Sequence, residues 1–173
     1  MLVKIAGALS IVVAGGLVGR TLATNYDQRP SQLRACQHGL QMLETEISYS
    51  ATPLPEAWQH LGRVTQSPIR EIFDQAHQLY CAQPGITAGE AWNRAVLDTY
   101  DANALNQEDA EILRGLGGVL GISSSYDQGK HLNLALNKLQ QQEEGARIAA
   151  SSNGKQLRYL GVLGGMMLAL MII

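Results

Sequence analysis

The sequence predicts an all-α fold: an antiparallel bundle of about six helices flanked by an N-terminal and a C-terminal transmembrane helix. Three observations predict it. Strand signals are poor, with one Phe in 173 residues, few β-branched runs, and no Asn-Gly or Asp-Gly pair set between alternating apolar stretches. Apolar residues recur at steps of three and four through the middle of the chain, the period of a helix with one buried face. Charge is segregated: all fifteen Asp and Glu residues lie between Asp27 and Glu144. Three segments follow: a hydrophobic span over 1–24, a helical domain over 25–154, and a second hydrophobic span over 155–173.

The central helices are read in order. After Arg29-Pro30, the residues Leu33, Cys36, Leu40, Leu43 and Ile47 form a narrow apolar seam, and Gln32, Arg34, Gln37, Gln41 and Glu44 largely fill the opposite face. Thr52-Pro53 has the form of a cap followed by Pro at the first helical position, opening a second helix through Trp58 and Leu61. Ser67-Pro68 repeats the device and opens a third, with Ile69, Ile72, Phe73, Ala76 and Leu79 or Tyr80 turned inward. Gln83-Pro84-Gly85 breaks the chain. Thr87 with Glu90 makes a capping box for a fourth helix, whose apolar set is Trp92, Ala95, Val96 and Tyr100.

Asn106 with Asp109 starts a fifth helix, and Glu108, Asp109 and Glu111 favour its positive end. Ile112, Leu113, Leu116, Val119 and Leu120 form its buried face, with Gly121 as the stop. Gly115, Gly117 and Gly118 each cost about 1 kcal/mol inside a helix, which points to tight packing or a local break. A sixth helix begins near Ser124 and buries Leu132, Leu136 and Leu139. Gln140 to Lys155 lacks an apolar period and reads as an exposed stalk, frayed near Ser151–Gly154.

The two ends are a different material. Leu2 to Ala23 is almost wholly apolar apart from Lys4 and Arg20. At about 1.5 Å per residue it matches a hydrocarbon core of about 30 Å, with both cations snorkelling to the headgroups. A cleaved signal peptide is the rival reading, but no small-x-small site precedes a mature start and Arg20 sits where cleavage chemistry prefers neutral residues. Tyr159 to Ile173 carries no charge and is apolar all round, which favours lipid over an amphipathic docking helix. It is short for a full crossing unless Leu157 extends it and the bilayer thins. Arg20, Arg29, Arg34, Arg147, Lys155 and Arg158 lie on the central side and Lys4 alone on the other. That bias places the central domain in the cytoplasm.

A formal net charge of −2 argues against nucleic acid as a partner. No catalytic set emerges. His38, His60, His77 and His131 are scattered, no Walker-type loop precedes a Lys-Ser/Thr pair, and Glu44 and Glu46 point to different sides of one helix. No cofactor, metal or catalytic residue is expected, and the functional surface is for protein contact. Cys36 and Cys81 read as two buried small hydrophobes, with a disulfide as the alternative in an oxidising compartment.

Several stretches carry a resemblance. They are Arg29-Pro30-x-Gln32-Leu33-Arg34, then Leu40, Leu43-Glu44-Thr45-Glu46-Ile47 and Tyr49, then Thr52-Pro53-Leu54. Further on come Leu116-Gly117, Leu120-Gly121, Gln128-x-Lys130-His131-Leu132-x-Leu134 and Leu160-Gly161-Val162-Leu163-Gly164-Gly165. In this order the sequence resembles the stage III sporulation protein AB family of endospore-forming bacteria over nearly its whole length, though the stretch from Gln66 to Gln107 carries little of the match. The resemblance implies a structural membrane subunit of a multi-protein channel linking mother cell and forespore, needed during spore formation after engulfment. It implies residence in the mother-cell membrane facing the forespore, and a helical domain similar to the cytoplasmic domains of the inner-membrane platform protein of type II secretion and type IV pilus systems. Its implied partners are other stage III sporulation proteins, including a secretion-type ATPase and membrane-ring subunits, with the lipid bilayer, and a homo-oligomer is compatible with it. On the motif positions it points to Arg29, Arg34, Glu44, Glu46, Gln128 and His131 as a contact surface. A membrane-tethered sensor and a small membrane-bound enzyme are the alternative readings.

Overall fold

The computed structural model describes the backbone of residues 27–172 and the side chains of residues 27–151. Six helices and one 3₁₀ turn make up the regular structure there: α1 over 27–48, then α2 (Leu54–Val64), α3 (Ile69–Ala82), α4 (Ala88–Tyr100), α5 (Gln107–Arg114), the 3₁₀ turn Gly115–Gly118 and α6 (Ser125–Ile172). No strand occurs among the described residues. The chain divides into two compact units, one of Ser31–Glu144 and one from the two chain ends, of which 27–30 and 145–172 are described.

In the first unit the apolar periods are the core. Leu33, Cys36, Leu40 and Leu43 are wholly buried and Ile47 nearly so, each fully buried large side chain contributing roughly 1.5–3 kcal/mol. Ile69, Ile72, Phe73 and Ala76 of α3 and Trp92, Ala95 and Val96 of α4 are equally buried. Trp92 stacks on Trp58 of α2 at 6.2 Å, leans on Phe73 at 5.9 Å and donates its indole N–H to the Leu113 carbonyl at 2.7 Å. Four helices therefore meet at one side chain.

Helix direction follows from the cross-contacts. Arg34 and Gln37 of α1 bond Glu143 of α6 at 2.6 and 3.1 Å, and Glu44 accepts from Asn133 at 2.5 Å, so α1 and α6 run antiparallel. Gln75 with Asp98 and Gln83 with Arg94 set the same sense for α3 and α4.

Helix starts divide by chemistry. The boxes of α4 and α5 form as the spacing predicts: Glu90 N–H donates to Thr87 Oγ1 at 3.2 Å and Asp109 N–H to Asn106 Oδ1 at 2.9 Å, each answered by the carboxylate on the cap N–H. The two Pro-led starts differ from expectation. Pro53 and Pro68 themselves hold the cap positions without a side-chain bond, because the neighbouring hydroxyls go elsewhere. Thr52 donates to Glu46 at 2.7 Å and Ser67 to Glu71.

Three further expectations are corrected. The fifth helix ends at Arg114, not Gly121; the glycines there tighten it into the 3₁₀ turn, and Gly121, at φ 78°, lies in the following loop. Leu113, Leu116 and Leu120 still reach the core, while Ile112 and Val119 are only half-buried. The region 151–154 is not frayed, since α6 continues unbroken through it. Cys81 is exposed, because Leu79 and Tyr80 shield that turn of α3 only in part; Cys36 is buried, and both thiols are free.

Among the described residues no helix is long and apolar enough to cross a membrane. The expected span over 1–24 lies outside the described residues. The expected C-terminal segment 155–173 is helical through 172.

The glycines at the contact of α4 with the 3₁₀ turn are not equivalent. A Cβ on Gly89 of α4 would fall on the Gly117 carbonyl, whereas one on Gly118 would meet open space. Gly89→Ala should therefore destabilise the bundle by about 1–3 kcal/mol, and Gly118→Ala should stay within about 0.5 kcal/mol of the parent. Urea unfolding of both variants checks this, and equal midpoints would contradict the close α4–turn approach.

Candidate functional site

The six sequence-selected residues do not form one patch. Arg29 lies half-buried at the described start of α1. Arg34, further along α1, directs its guanidinium Nε to Glu143 Oε1 at 2.6 Å. The arginine is largely in water, so this pair is worth at most about 1 kcal/mol. Gln37 donates to the other oxygen of Glu143, which turns a surface ion pair into a three-residue clasp of α1 on α6. Two turns on, Glu44 accepts from Asn133.

Glu46 faces the other way, as its offset from Glu44 predicts. It accepts the Thr52 hydroxyl at 2.7 Å and meets His60 Nδ1 at 3.0 Å. The hydrogen bond from Thr52, then that of His60, holds its carboxyl below the ordinary value of 4.5. This one side chain joins the end of α1, the loop after it and the face of α2.

Gln128 and His131 stand in the first turns of α6. Gln128 is only 7% exposed; its amide donates to the Ser123 carbonyl at 2.9 Å, and its Oε1 has no hydrogen-bond partner. His131 is exposed. The geometry thus joins Arg34 and Glu44 through α6, turns Glu46 away towards α2, and leaves His131 in solvent.

Some features escaped the sequence reading. His77 and Cys81, one turn apart on α3, bring ring nitrogens and sulfur to 3.9 Å; the i, i+4 spacing was the available signal. His77 Nδ1 also lies 2.9 Å from the Pro55 carbonyl, which binds α3 to α2. Among the described residues no group of three or more His, Cys, Asp or Glu side chains could hold a metal ion. Burial, reinforced by the nearby carboxylates of Asp109 and Glu71, pushes the Cys36 thiol far above its usual range.

The family model described as stage III sporulation protein AB matches residues 4–173. The chain belongs to that family. The stage III sporulation protein AB of Bacillus subtilis (strain 168) is 34% identical over 171 residues, 99% of each chain. A solved structure of a stage III sporulation protein AB is 31% identical and superposes with a TM-score of 0.66, covering 72% of this chain and 97% of its own. For this family member, then, the α1 motif Leu43-Glu44-Thr45-Glu46-Ile47 is legible in physical terms. Leu43 and Ile47 enter the core, Glu44 reaches α6 and Glu46 reaches α2.

Two outcomes are expected. Glu46 adds stability above its ordinary value of 4.5, and that contribution disappears as pH falls through its lowered folded value. Glu46→Gln should therefore flatten the acid limb of a stability-versus-pH curve and leave the shape above neutrality unchanged; an unaltered acid limb would refute the Thr52–Glu46–His60 link. Under native conditions a maleimide should modify Cys81 rapidly and Cys36 only after unfolding, as read by intact mass. Comparable rates at both sites would contradict the burial of Cys36.

Proposed function

We propose that this chain is a structural membrane subunit of a secretion-like channel complex between mother cell and forespore, acting during endospore formation as a platform for protein–protein contacts. The observation that carries the reading is the segregation of charge: acidic residues only between Asp27 and Glu144, apolar ends, and Lys and Arg gathered on the inner flanks of those ends. On this reading both ends lie in the mother-cell membrane facing the forespore and the bundle stands in the cytoplasm. Its partners there are a secretion-type ATPase and membrane-ring subunits of the same assembly. Membership of the sporulation family supports the process, and the helical bundle supports a contact role.

The side chains with titratable groups support contact rather than catalysis. Glu44 and Glu46 engage different helices, so they are not poised as an acid and base pair. The exposed His60 and half-buried Glu46 link helices instead of facing a common cavity.

Topology is the decisive measurement. Because Cys36 is buried, replacing Cys81 by Ser suffices as background. A cysteine at Gln66 should resist a membrane-impermeant maleimide in intact cells, and one appended after Ile173 should react. Reaction at Gln66 from outside would end the platform reading, since no cytoplasmic ATPase could then touch the domain. Deleting the gene should block spore formation, and normal spore yield would refute the assigned process.

A further inference from the structure

At the end of the Ser31–Glu144 unit where α1 finishes and α6 begins, two open clefts share Ser125. One, of about 490 Å³, is lined by Ile47, Leu54, Leu120, Ile122 and Gln128 among others. The second, of about 610 Å³, has Tyr49 and Tyr126 on its walls, with Glu44 and Lys130. Tyr49 (86% exposed), Tyr126 (83%) and Ile122 (73%) are the most exposed large hydrophobic side chains among the described residues, and all three line these adjoining clefts. Singly exposed apolar side chains are ordinary, but their concentration around one pair of clefts is the mark of an interaction surface.

The charge around the surface states what it would accept. Its borders are acidic. Glu44 lies in one cleft, and Glu46 and Glu90 bond the lining residues Thr52 and Thr87 of the other. Asp127 accepts from Ser124 beside the shared Ser125, and Glu56 follows the lining residue Pro55. Among the lining residues Glu44 and Lys130 balance, so the excess of acid comes from the flanking Glu46, Glu90 and Asp127. Such a border attracts cations and repels a second copy of itself.

We propose that the paired clefts are the docking site for a basic segment of a partner protein that inserts a large apolar anchor beside Ile122 and Tyr126. The inference rests on the platform reading, and it names the chemistry of one contact within it. Apolar burial at the centre supplies affinity, and the carboxylate border supplies orientation and rate of encounter.

The test uses the full-length protein in its sporulating host, with the photo-crosslinking residue p-benzoylphenylalanine in place of Tyr126. Irradiation should yield an adduct with another protein, and mass spectrometry should map it to a segment with net positive charge and a large apolar residue. Ile122→Glu should reduce the adduct at least tenfold. Leu97→Glu, at an exposed apolar site elsewhere, should leave it unchanged. Absence of an adduct overturns the proposal, as does an adduct to lipid, to a second copy or to an acidic segment. Spore yield separates the two levels of the argument. If deletion of the gene blocks spore formation but the Ile122→Glu/Tyr126→Glu variant, at normal abundance, restores it fully, the docking site is refuted and the platform reading survives. If deletion has no effect, both fall.

Discussion

The indole of Trp92 touches Trp58 of α2 and Phe73 of α3 and hydrogen-bonds the last-turn carbonyl of Leu113 in α5. Aromatic pairs at such separations add stabilisation beyond their area, and the hydrogen bond removes the cost of burying a donor. Its larger effect is positional. A planar side chain restrained on three sides fixes how α2, α3 and α5 are disposed about α4, and so where the loops between them emerge. The close approach of Gly89 to Gly117 belongs to the same constraint. The turn after α5 must lie against α4 for Leu113 to receive the indole, and only glycine leaves room.

The α1–α6 pair is held differently. Its apolar seam is buried, yet its register is marked on the surface by Arg34 and Gln37 on Glu143 and by Glu44 on Asn133. Each such bond is weak, but bonds at successive turns agree only in one alignment of two antiparallel helices. Gly129 faces Ser48 at the far end of the same pair, so the alignment extends over the whole of α1 within the unit. Glu46 then carries it across to α2 through Thr52 and His60. Charged residues on α1 therefore act as alignment marks between helices, and their place in this chain's α1 motif has a structural basis without any partner.

What was legible in the sequence divides along the same line. The core of α1, α3 and α4 could be read because period alone decides burial when a helix has one apolar face, as Leu33 to Ile47 shows. The capping boxes at Thr87 and Asn106 could be read because both partners lie three residues apart, a local geometry. Thr52 and Ser67 could not, since a hydroxyl next to a proline chooses between a cap and a carboxylate, and the carboxylate of Glu46 or Glu71 is placed by tertiary structure or by the helix that follows. Cys81 misled for a related reason: its apolar neighbours in sequence do not share its face. The region 151–154 misled because the absence of an apolar period says that a helix lacks a core to pack on, and not that its backbone ends.

The candidate surface shows the deeper limit. Charged residues draw attention in a sequence, yet Arg34, Glu44 and Glu46 each have a partner inside the unit, on Glu143, Asn133 and His60 respectively. Water exposure of Tyr49, Tyr126 and Ile122 leaves no trace in composition, because the same residues in the same order would look like core until the bundle is assembled around them. The three come from the end of α1, the loop after the 3₁₀ turn and the start of α6, and only the antiparallel α1–α6 alignment brings them around adjoining clefts. The charged clasp along that pair and the apolar clefts at its end are thus consequences of one register. A change that slipped α1 along α6 by a single turn would dismantle both, whichever of them a partner contacts.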